Sequence, residues 1–219
     1  MAELPIFPLE VVVFPGMTVP ISIQEERYRK LLRLVLAQPH EPKRFIIVLS
    51  TGNAAIRDTP LRLARFGTVV NVLSVEERDN GGYEILVHGQ DRCEVVVSRR
   101  EDVAEPGGAT RPLHFATEAP APVGRGDPNT EAVAAWDAVD TFRTYAGTLF
   151  KADAAADIDQ HLPEDLLYQA SFVCANIRVA PASKQPLLEA DSLTERFDLA
   201  RGLMLERLGR KGRSRRSKA

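Results

Sequence analysis

The spacing of apolar positions changes near the start of the chain. From Leu4 to Ile23 most residues are apolar or β-branched, and four prolines interrupt them. Prolines at this density exclude a helix and allow short strands at a sheet edge or between turns. From Gln24 to Gln38 the apolar residues instead recur at i, i+3, i+4, i+7 and i+8, counted from Tyr28, with basic residues on the other face. We therefore predict short strands and then one amphipathic helix that ends at Pro39.

The rest of the first half is also β-like. Five further segments are rich in apolar and β-branched residues and predict strands, namely 45–49, 68–75, 83–87, 93–97 and 113–117. Asn80-Gly81 predicts a type I′ hairpin between two of them, because both central positions of that turn need positive φ. Residues Thr51 to Pro60 predict a loop. The first half is therefore expected to be a β-rich subdomain with one covering helix, over residues 1–118.

Helical spacing replaces the strand pattern in the second half. Proline and glycine concentrate between Pro106 and Pro128, and we place a linker at residues 119–128. The first apolar stripe after it comprises Ala132, Trp136, Val139, Phe142, Ala146 and Leu149, and the second comprises Leu166, Leu167, Ala170, Val173, Cys174 and Ile177. Each stripe needs a packing partner, so residues 129–209 are expected to form a helical bundle. The fold class predicted for the whole chain is α+β.

Two local signals mark the end of this bundle. Ser192-x-x-Glu195 is typical of a capping box and predicts the start of the last helix. Gly209 is a candidate C-cap for the same helix.

Charge is distributed unevenly along the chain. The net charge is −2, but the last ten residues hold six basic residues and no acid, so the remainder carries −8. The basic residues are Arg210, Lys211, Arg213, Arg215, Arg216 and Lys218. We predict a disordered basic tail over 210–219 on an acidic folded body. A solvated terminus and a nucleic-acid-binding arm are both consistent with this tail.

The sequence holds no motif of a known catalytic or cofactor site. It has no phosphate-binding loop, no nucleophile elbow, no His-Glu-x-x-His and no dinucleotide-type glycine pattern. Cys93 and Cys174 lie far apart and outside ligand spacing, so we interpret both as core thiols and expect no metal site. No catalytic residues and no cofactor are predicted.

The termini and hydropathy indicate no membrane association. The residues before the first apolar run include no base, prolines would break a signal-peptide helix, and no stretch approaches the ~18 apolar residues of a membrane span. We expect a cytoplasmic protein.

Several motifs in this sequence resemble the Lon protease N-terminal domain family. In the first half they are Leu4-Pro5-x-Phe7-Pro8-Leu9, Val13-Phe14-Pro15-Gly16, Pro20-Ile21-x-Ile23, Glu25-x-Arg27-Tyr28, Gly67-Thr68-Val69 and Gly82-Tyr83-Glu84-Ile85-Leu86-Val87-x-Gly89-x-x-Arg92. In the second half they are Leu162-Pro163, Lys184-Gln185-x-Leu187-Leu188-Glu189 and Leu193-x-x-Arg196. The resemblance covers residues 4 to 208. Two positions depart from the family pattern, because Gln24 stands where an aromatic residue is frequent and Glu26 where proline is common.

The resemblance implies a PUA-like β-barrel subdomain with one covering helix, followed by a helical bundle. It also implies the non-catalytic part of Lon proteases that recognises substrate polypeptides. The ATPase and peptidase of a full-length Lon protease would follow the last helix, so we expect a free-standing copy of the recognition part. Its expected partners are unfolded or exposed hydrophobic polypeptide segments, with a separate protease as a further candidate and the oligomeric state left open.

The turn at Phe14-Pro15-Gly16-Met17 supplies the candidate binding residues. The bland interpretation places motif residues such as Phe14 in the core. The functional interpretation is that side chains on a turn cannot all face the interior, so Phe14, Pro15 and Met17 would present adaptable apolar surface to unfolded chains. Polypeptide binding, as an adaptor or quality-control factor, is thus the first functional hypothesis. The alternative is RNA or DNA binding by a PUA-like barrel and the basic tail, which the acidic body would weaken.

Overall fold

The protein consists of two compact units. A computed structural model describes residues 3–50, 62–149 and 154–216, and the predicted loop from Thr51 to Pro60 lies outside this part of the chain. Contacts between residues divide the chain into Met1–Pro122 and Val123–Ala219. The first unit is the β-rich one and the second is helical, as the change of pattern predicts, so the chain is of mixed α+β class.

The first unit is a six-stranded sheet with one helix. Its elements are β1 (Glu3–Leu9), β2 (Thr18–Ile23), α1 (Glu26–Leu36), β3 (Arg44–Ser50), β4 (Leu63–Glu77), β5 (Tyr83–Ala104) and β6 (Thr110–Pro120). The strand order is β2-β5-β4-β3-β1-β6, and β5 also pairs with β6. The sheet therefore closes on itself through β5, and β2 lies at its edge.

Strand β5 closes the sheet because it is long enough to have different neighbours along its length. It pairs with β4 up to Glu94 and with β6 from Cys93 onward. The sequence predicts two separate strands here, 83–87 and 93–97, and no strand over 98–104, because that segment is polar, and it is largely exposed in the structure. Backbone pairing with β6 extends the strand there, although little apolar surface is buried.

Strand β1 lies inside the sheet despite its prolines, whereas β2 lies at the edge. Both predicted arrangements therefore occur: a strand at an edge and short strands separated by a turn. The ladder with β6 involves Glu3 to Ile6, and the parallel ladder with β3 involves Ile6 to Leu9. Pro5 and Pro8 therefore each have only one paired neighbour, so a missing N–H need not break a ladder. Staggered pairing explains how an interior strand tolerates both prolines.

Two hydrophobic clusters lie on opposite faces of β1 and β3. Ile6 and Ile46 belong to one cluster, whereas Phe7 and Ile47, the next residue in each strand, belong to the other. Alternation along a strand produces this division. Helix α1 covers the cluster that contains Phe7 and Ile47. The apolar stripe predicted for this helix faces that cluster, and its residues Tyr28, Leu31, Leu32 and Val35 are buried.

The N-terminus of α1 is capped from a distant part of the chain. Glu25, in the N-cap position, makes no side-chain cap hydrogen bond. Instead the carboxylate of Glu105, at the turn between β5 and β6, accepts the backbone N–H of Glu26 at 2.9 Å and that of Arg27 at 3.0 Å. An anion at this position satisfies two otherwise unpaired donors and complements the helix dipole. The β5–β6 hairpin therefore fixes the start of α1.

The second unit is built from helices. They are α2 (Pro128–Leu149), α3 (Ala154–His161), α4 (Leu166–Asn176), α5 (Pro181–Glu189) and α6 (Leu193–Arg216). Three alanines of α2 pack with Leu193 and Phe197 of α6. Val139, Phe142 and Ala146 of the predicted stripe are buried, whereas Ala132 is exposed and Trp136 is 66% exposed. The predicted packing face is therefore correct for the later turns of α2 and wrong for its first turns.

The predicted start of α6 is confirmed and its predicted end is wrong. The Glu195 N–H donates to Ser192 Oγ at 3.2 Å, as in a capping box, while the Glu195 carboxylate accepts the N–H of Asp191 at 2.8 Å. The helix does not stop at Gly209 but continues to Arg216, through most of the segment predicted as a disordered tail. In the described part of the chain, no helix is long and apolar enough to cross a membrane.

The distant cap of α1 generates a stability prediction. Glu105→Ala removes the acceptor of two helix N–H groups, so the free energy of unfolding should fall by about 1–2 kcal/mol in urea denaturation. Glu105→Gln keeps one acceptor oxygen and should lose clearly less. Equal stability of all three proteins would contradict this role of the carboxylate.

Candidate functional site

A groove of about 430 Å³ opens beside the start of α1. One wall is the end of β1 and the residues after it, from Phe7 to Val11. The other wall is formed by Ser22, Gln24, Glu25, Arg27 and Tyr28, and Ser50 lies at the end of β3. The groove thus forms where two strand ends meet the first turn of a helix.

The inner part of the groove is aromatic. The rings of Phe7 and Tyr28 stack with centroids 4.3 Å apart and an angle of 29°. Both residues are buried, and Phe7 also contacts Phe45 behind it. Burial raises the pKa of the Tyr28 hydroxyl to about 12, and the negative charge of Glu25 acts in the same direction. The hydroxyl is therefore neutral at physiological pH.

A buried arginine lies beside these rings. Arg27 is 6% exposed, and its guanidinium carbon lies 4.4 Å from the centre of the Tyr28 ring. Arg27 Nη2 is 2.9 Å from Glu25 Oε2, which also contacts Arg111 Nη1 at 3.0 Å. Nη1 of Arg27 donates to the carbonyl of Pro112 at 3.4 Å. These partners compensate the buried charge, which would otherwise be costly.

Two polar atoms of the groove residues remain without a partner. Arg27 Nε and Ser50 Oγ are both buried, and neither has a hydrogen-bond partner in the described chain. Buried polar groups are paired in the great majority of cases, so each such atom needs an explanation. Both atoms belong to residues that line the groove.

The rim of the groove combines apolar and acidic side chains. Val11 is 48% exposed and Glu10 is exposed, and Glu25 is partly exposed. Gln24, at the position where the family often has an aromatic residue, extends toward Gly82. A Cβ at Gly82 would lie 2.6 Å from Gln24 Nε2, so a larger residue there would displace the end of this side chain. The rim can therefore contact both an apolar and a cationic group.

The sequence-predicted binding turn is mostly interior. Phe14 is fully buried and Pro15 is buried, so the expectation that they present apolar surface is wrong for both. Met17 is half-buried against the hydrophobic cluster that contains Phe7 and Ile47. Its sulfur accepts the N–H of Phe14 at 3.2 Å. None of the three lines the groove.

The turn faces inward because backbone bonds join it to β5. Gly16 N–H donates to the carbonyl of Gly89 at 2.9 Å, and Gly89 N–H donates to that of Met17 at 2.8 Å. A Cβ at Gly89 would lie 2.5 Å from the carbonyl oxygen of Phe14. Glycine at this position therefore allows the turn to approach the strand.

The other candidate groups behave as structural residues. Cys93 and Cys174 are buried free thiols, and burial raises the pKa of each to about 12. Lys184 is half-buried, its Nζ donates to the carbonyl of Ala175, and desolvation lowers its pKa. Five of the six basic residues of the predicted tail lie in α6, whereas Lys218 is outside the described residues.

Sequence reasoning did not identify the groove, although it named several of its residues. Arg27 and Tyr28 appeared in a family motif, and Gln24 as a departure from it. An arginine within the apolar stripe of an amphipathic helix was the available signal, because such a residue must be buried with a partner.

The raised pKa of Tyr28 generates a pH prediction. Between pH 10, the usual pKa of tyrosine, and pH 12, the unfolded chain releases the Tyr28 proton while the folded chain keeps it. The free energy of unfolding should therefore fall over this range, by on the order of 2 kcal/mol from this residue. Urea denaturation at several pH values should show a smaller loss of unfolding free energy for Tyr28→Phe than for the unchanged protein. Parallel curves of unfolding free energy against pH for the two proteins would contradict the raised pKa of Tyr28.

Comparison with known proteins agrees with this architecture. The model of the family described as the ATP-dependent protease La (LON) substrate-binding domain matches residues 3–206. Lon protease of Rhizobium meliloti (strain 1021) is 27% identical over 206 residues, covering 93% of this chain and 24% of that protein. Lon protease of Xanthomonas oryzae pv. oryzae is 27% identical over 213 residues, covering 92% and 23%. The chain thus spans about a quarter of the length of these relatives.

Solved structures of the same kind share the fold. The N-terminal domain of Mycobacterium avium complex Lon protease aligns with a TM-score of 0.66 at 18% identity, covering 93% of this chain and 98% of that one. The Lon N-terminal domain protein from Xanthomonas campestris aligns with a TM-score of 0.56 at 18% identity, covering 90% and 96%. Because the family model matches residues 3–206, which is nearly the whole chain, this chain belongs to the Lon substrate-binding domain family.

Proposed function

We propose that this protein is a non-catalytic polypeptide-binding module and that the groove beside α1 is its binding site. The observation that carries the proposal is the combination of a stacked aromatic floor with an exposed apolar rim residue and polar atoms that lack partners. Such sites are concave and mostly apolar, with a few polar groups that orient the ligand. An unfolded segment offers both apolar side chains and backbone polar groups.

The wider role we propose is that of an adaptor or quality-control factor in the cytosol. The matched relatives are named proteases, but this chain covers about a quarter of their length. The role we propose for these residues is recognition, and a separate protease is the partner we propose for cleavage. We also propose that the first unit is a PUA-like β-barrel, and the closure of the sheet through β5 supports this.

A pair of surface valines tests the site. Val11 is 48% exposed on the groove rim, and Val96 is 52% exposed on β5 outside the groove. Val11→Asn should weaken binding to an unfolded, fluorescently labelled model protein about three- to tenfold, because apolar contact area is lost. Val96→Asn should leave the Kd unchanged, and both variants should keep their stability within about 1 kcal/mol.

Two other outcomes would redirect the proposal. Equal affinity of both valine variants and the unchanged protein would place the binding surface elsewhere. Binding of RNA rather than polypeptide, lost on deletion of Arg210 to Ala219, would favour the alternative function, since that deletion removes six positive charges.

A further inference from the structure

We propose that the groove selects extended polypeptide segments in which an apolar residue has a lysine or arginine as a close neighbour, and that Ser50 bonds the backbone of the bound segment. This inference rests on the proposed function and names the class of polypeptide. Three features of the groove support it: the stacked rings of Phe7 and Tyr28, which form its floor, the acidic charge at its rim, and its unpaired buried polar atoms.

The apolar side chain is specified by the floor. Phe7 and Tyr28 present stacked rings, and Leu9 and Val11 continue the apolar wall toward the rim. An aliphatic or aromatic side chain placed here would lose water-exposed surface together with these residues, which is favourable.

The basic neighbour is specified by the rim. The lining residues include two carboxylates, Glu10 and Glu25, and one guanidinium, that of Arg27. Arg27 is buried and already paired with Glu25, whereas Glu10 is exposed and has no ion pair with any residue that the structure describes. The charge that a ligand meets at the opening is therefore negative.

The net charge of the first unit acts in the same direction, though weakly. Residues 1–122 hold 14 basic and 16 acidic residues, so this unit carries −2. An acidic segment approaching the groove would be repelled and a basic one attracted, with a strength that falls as salt is added.

The backbone contact is specified by Ser50. Its Oγ is buried at the end of β3, among the lining residues, and has no hydrogen-bond partner in the described residues. A hydroxyl both donates and accepts, and rotation about χ1 can turn it toward a bound chain. Arg27, another lining residue, likewise has a buried Nε donor with no acceptor among the described residues. An extended backbone supplies the carbonyl and N–H groups that such atoms bond.

The charge preference is tested with peptides that have blocked ends, so that no terminal charge contributes. Three peptides share one apolar core and differ in a flanking Lys, Gln or Glu. Fluorescence anisotropy at low salt should give the tightest binding for Lys and the weakest for Glu, with about two- to fivefold between neighbouring peptides. Glu10→Gln should remove most of the difference between the Lys and Gln peptides. Glu76→Gln, at an exposed acid of β4 outside the groove, should preserve it.

The backbone contact is tested with two serines. Ser50→Ala removes a hydroxyl that bonds nothing in the part of the chain that the structure describes, so stability should be equal or slightly higher, while peptide affinity falls about fivefold. Ser171→Ala removes a similarly buried and unpartnered hydroxyl from α4 of the second unit and should not change affinity.

Failure of the inference is distinguishable from failure of the proposed function. Equal binding of the three peptides, with no effect of Glu10→Gln, would overturn the charge preference and leave polypeptide binding in place. Unchanged affinity of Ser50→Ala would overturn the backbone contact. Absence of binding by every peptide and by an unfolded protein would overturn both the inference and the proposed function.

Discussion

The carboxylate of Glu105 holds the N-terminus of α1, and the groove exists because that helix starts where it does. Two backbone N–H groups of the first turn donate to this one side chain, which comes from the turn between β5 and β6. The same first turn carries Arg27 and Tyr28, which form a wall of the groove. A long hairpin, a helix start and the groove are therefore linked by two hydrogen bonds at 2.9 and 3.0 Å.

The buried arginine gives the groove a polar component inside an apolar setting. Arg27 neutralises Glu25, contacts the face of Tyr28 and bonds a carbonyl of β6. Burial of such a group is tolerated only when its charge is compensated, and this requirement ties the position of Glu25 to that of Arg27. Glu25 is paired with both Arg27 and Arg111, so the acidic charge of the rim that no described residue compensates comes from Glu10.

Sequence patterns predicted the elements better than their packing. The amphipathic stripe of α1 and the cap of α6 were correct, because both depend on neighbours along the chain. The pattern left the interior position of β1 open, since staggered pairing is a property of the whole sheet. The predicted burial of Trp136 fails in a similar way, since the face of α2 that is buried depends on packing against α6, which is distant in sequence.

The candidate site was less predictable than the fold. The turn at Phe14 was chosen because turns tend to be exposed, but bonds to Gly89 fold it into the sheet. The groove joins residues from β1, α1 and β3, and local spacing along the chain does not reveal such a meeting. Two family motifs, one with Phe7, Pro8 and Leu9 and one with Glu25, Arg27 and Tyr28, contain most of its residues, but they do not show that these residues meet.

Whether the groove beside α1 receives polypeptide can be measured by nuclear magnetic resonance, in a titration of the isotope-labelled full chain with an unlabelled, permanently unfolded polypeptide. If polypeptide binds in the groove, amide and methyl shifts should change first at Leu9, Val11, Gln24 and Tyr28. Changes confined to the second unit, or to the residues after Leu208, would contradict binding in the groove.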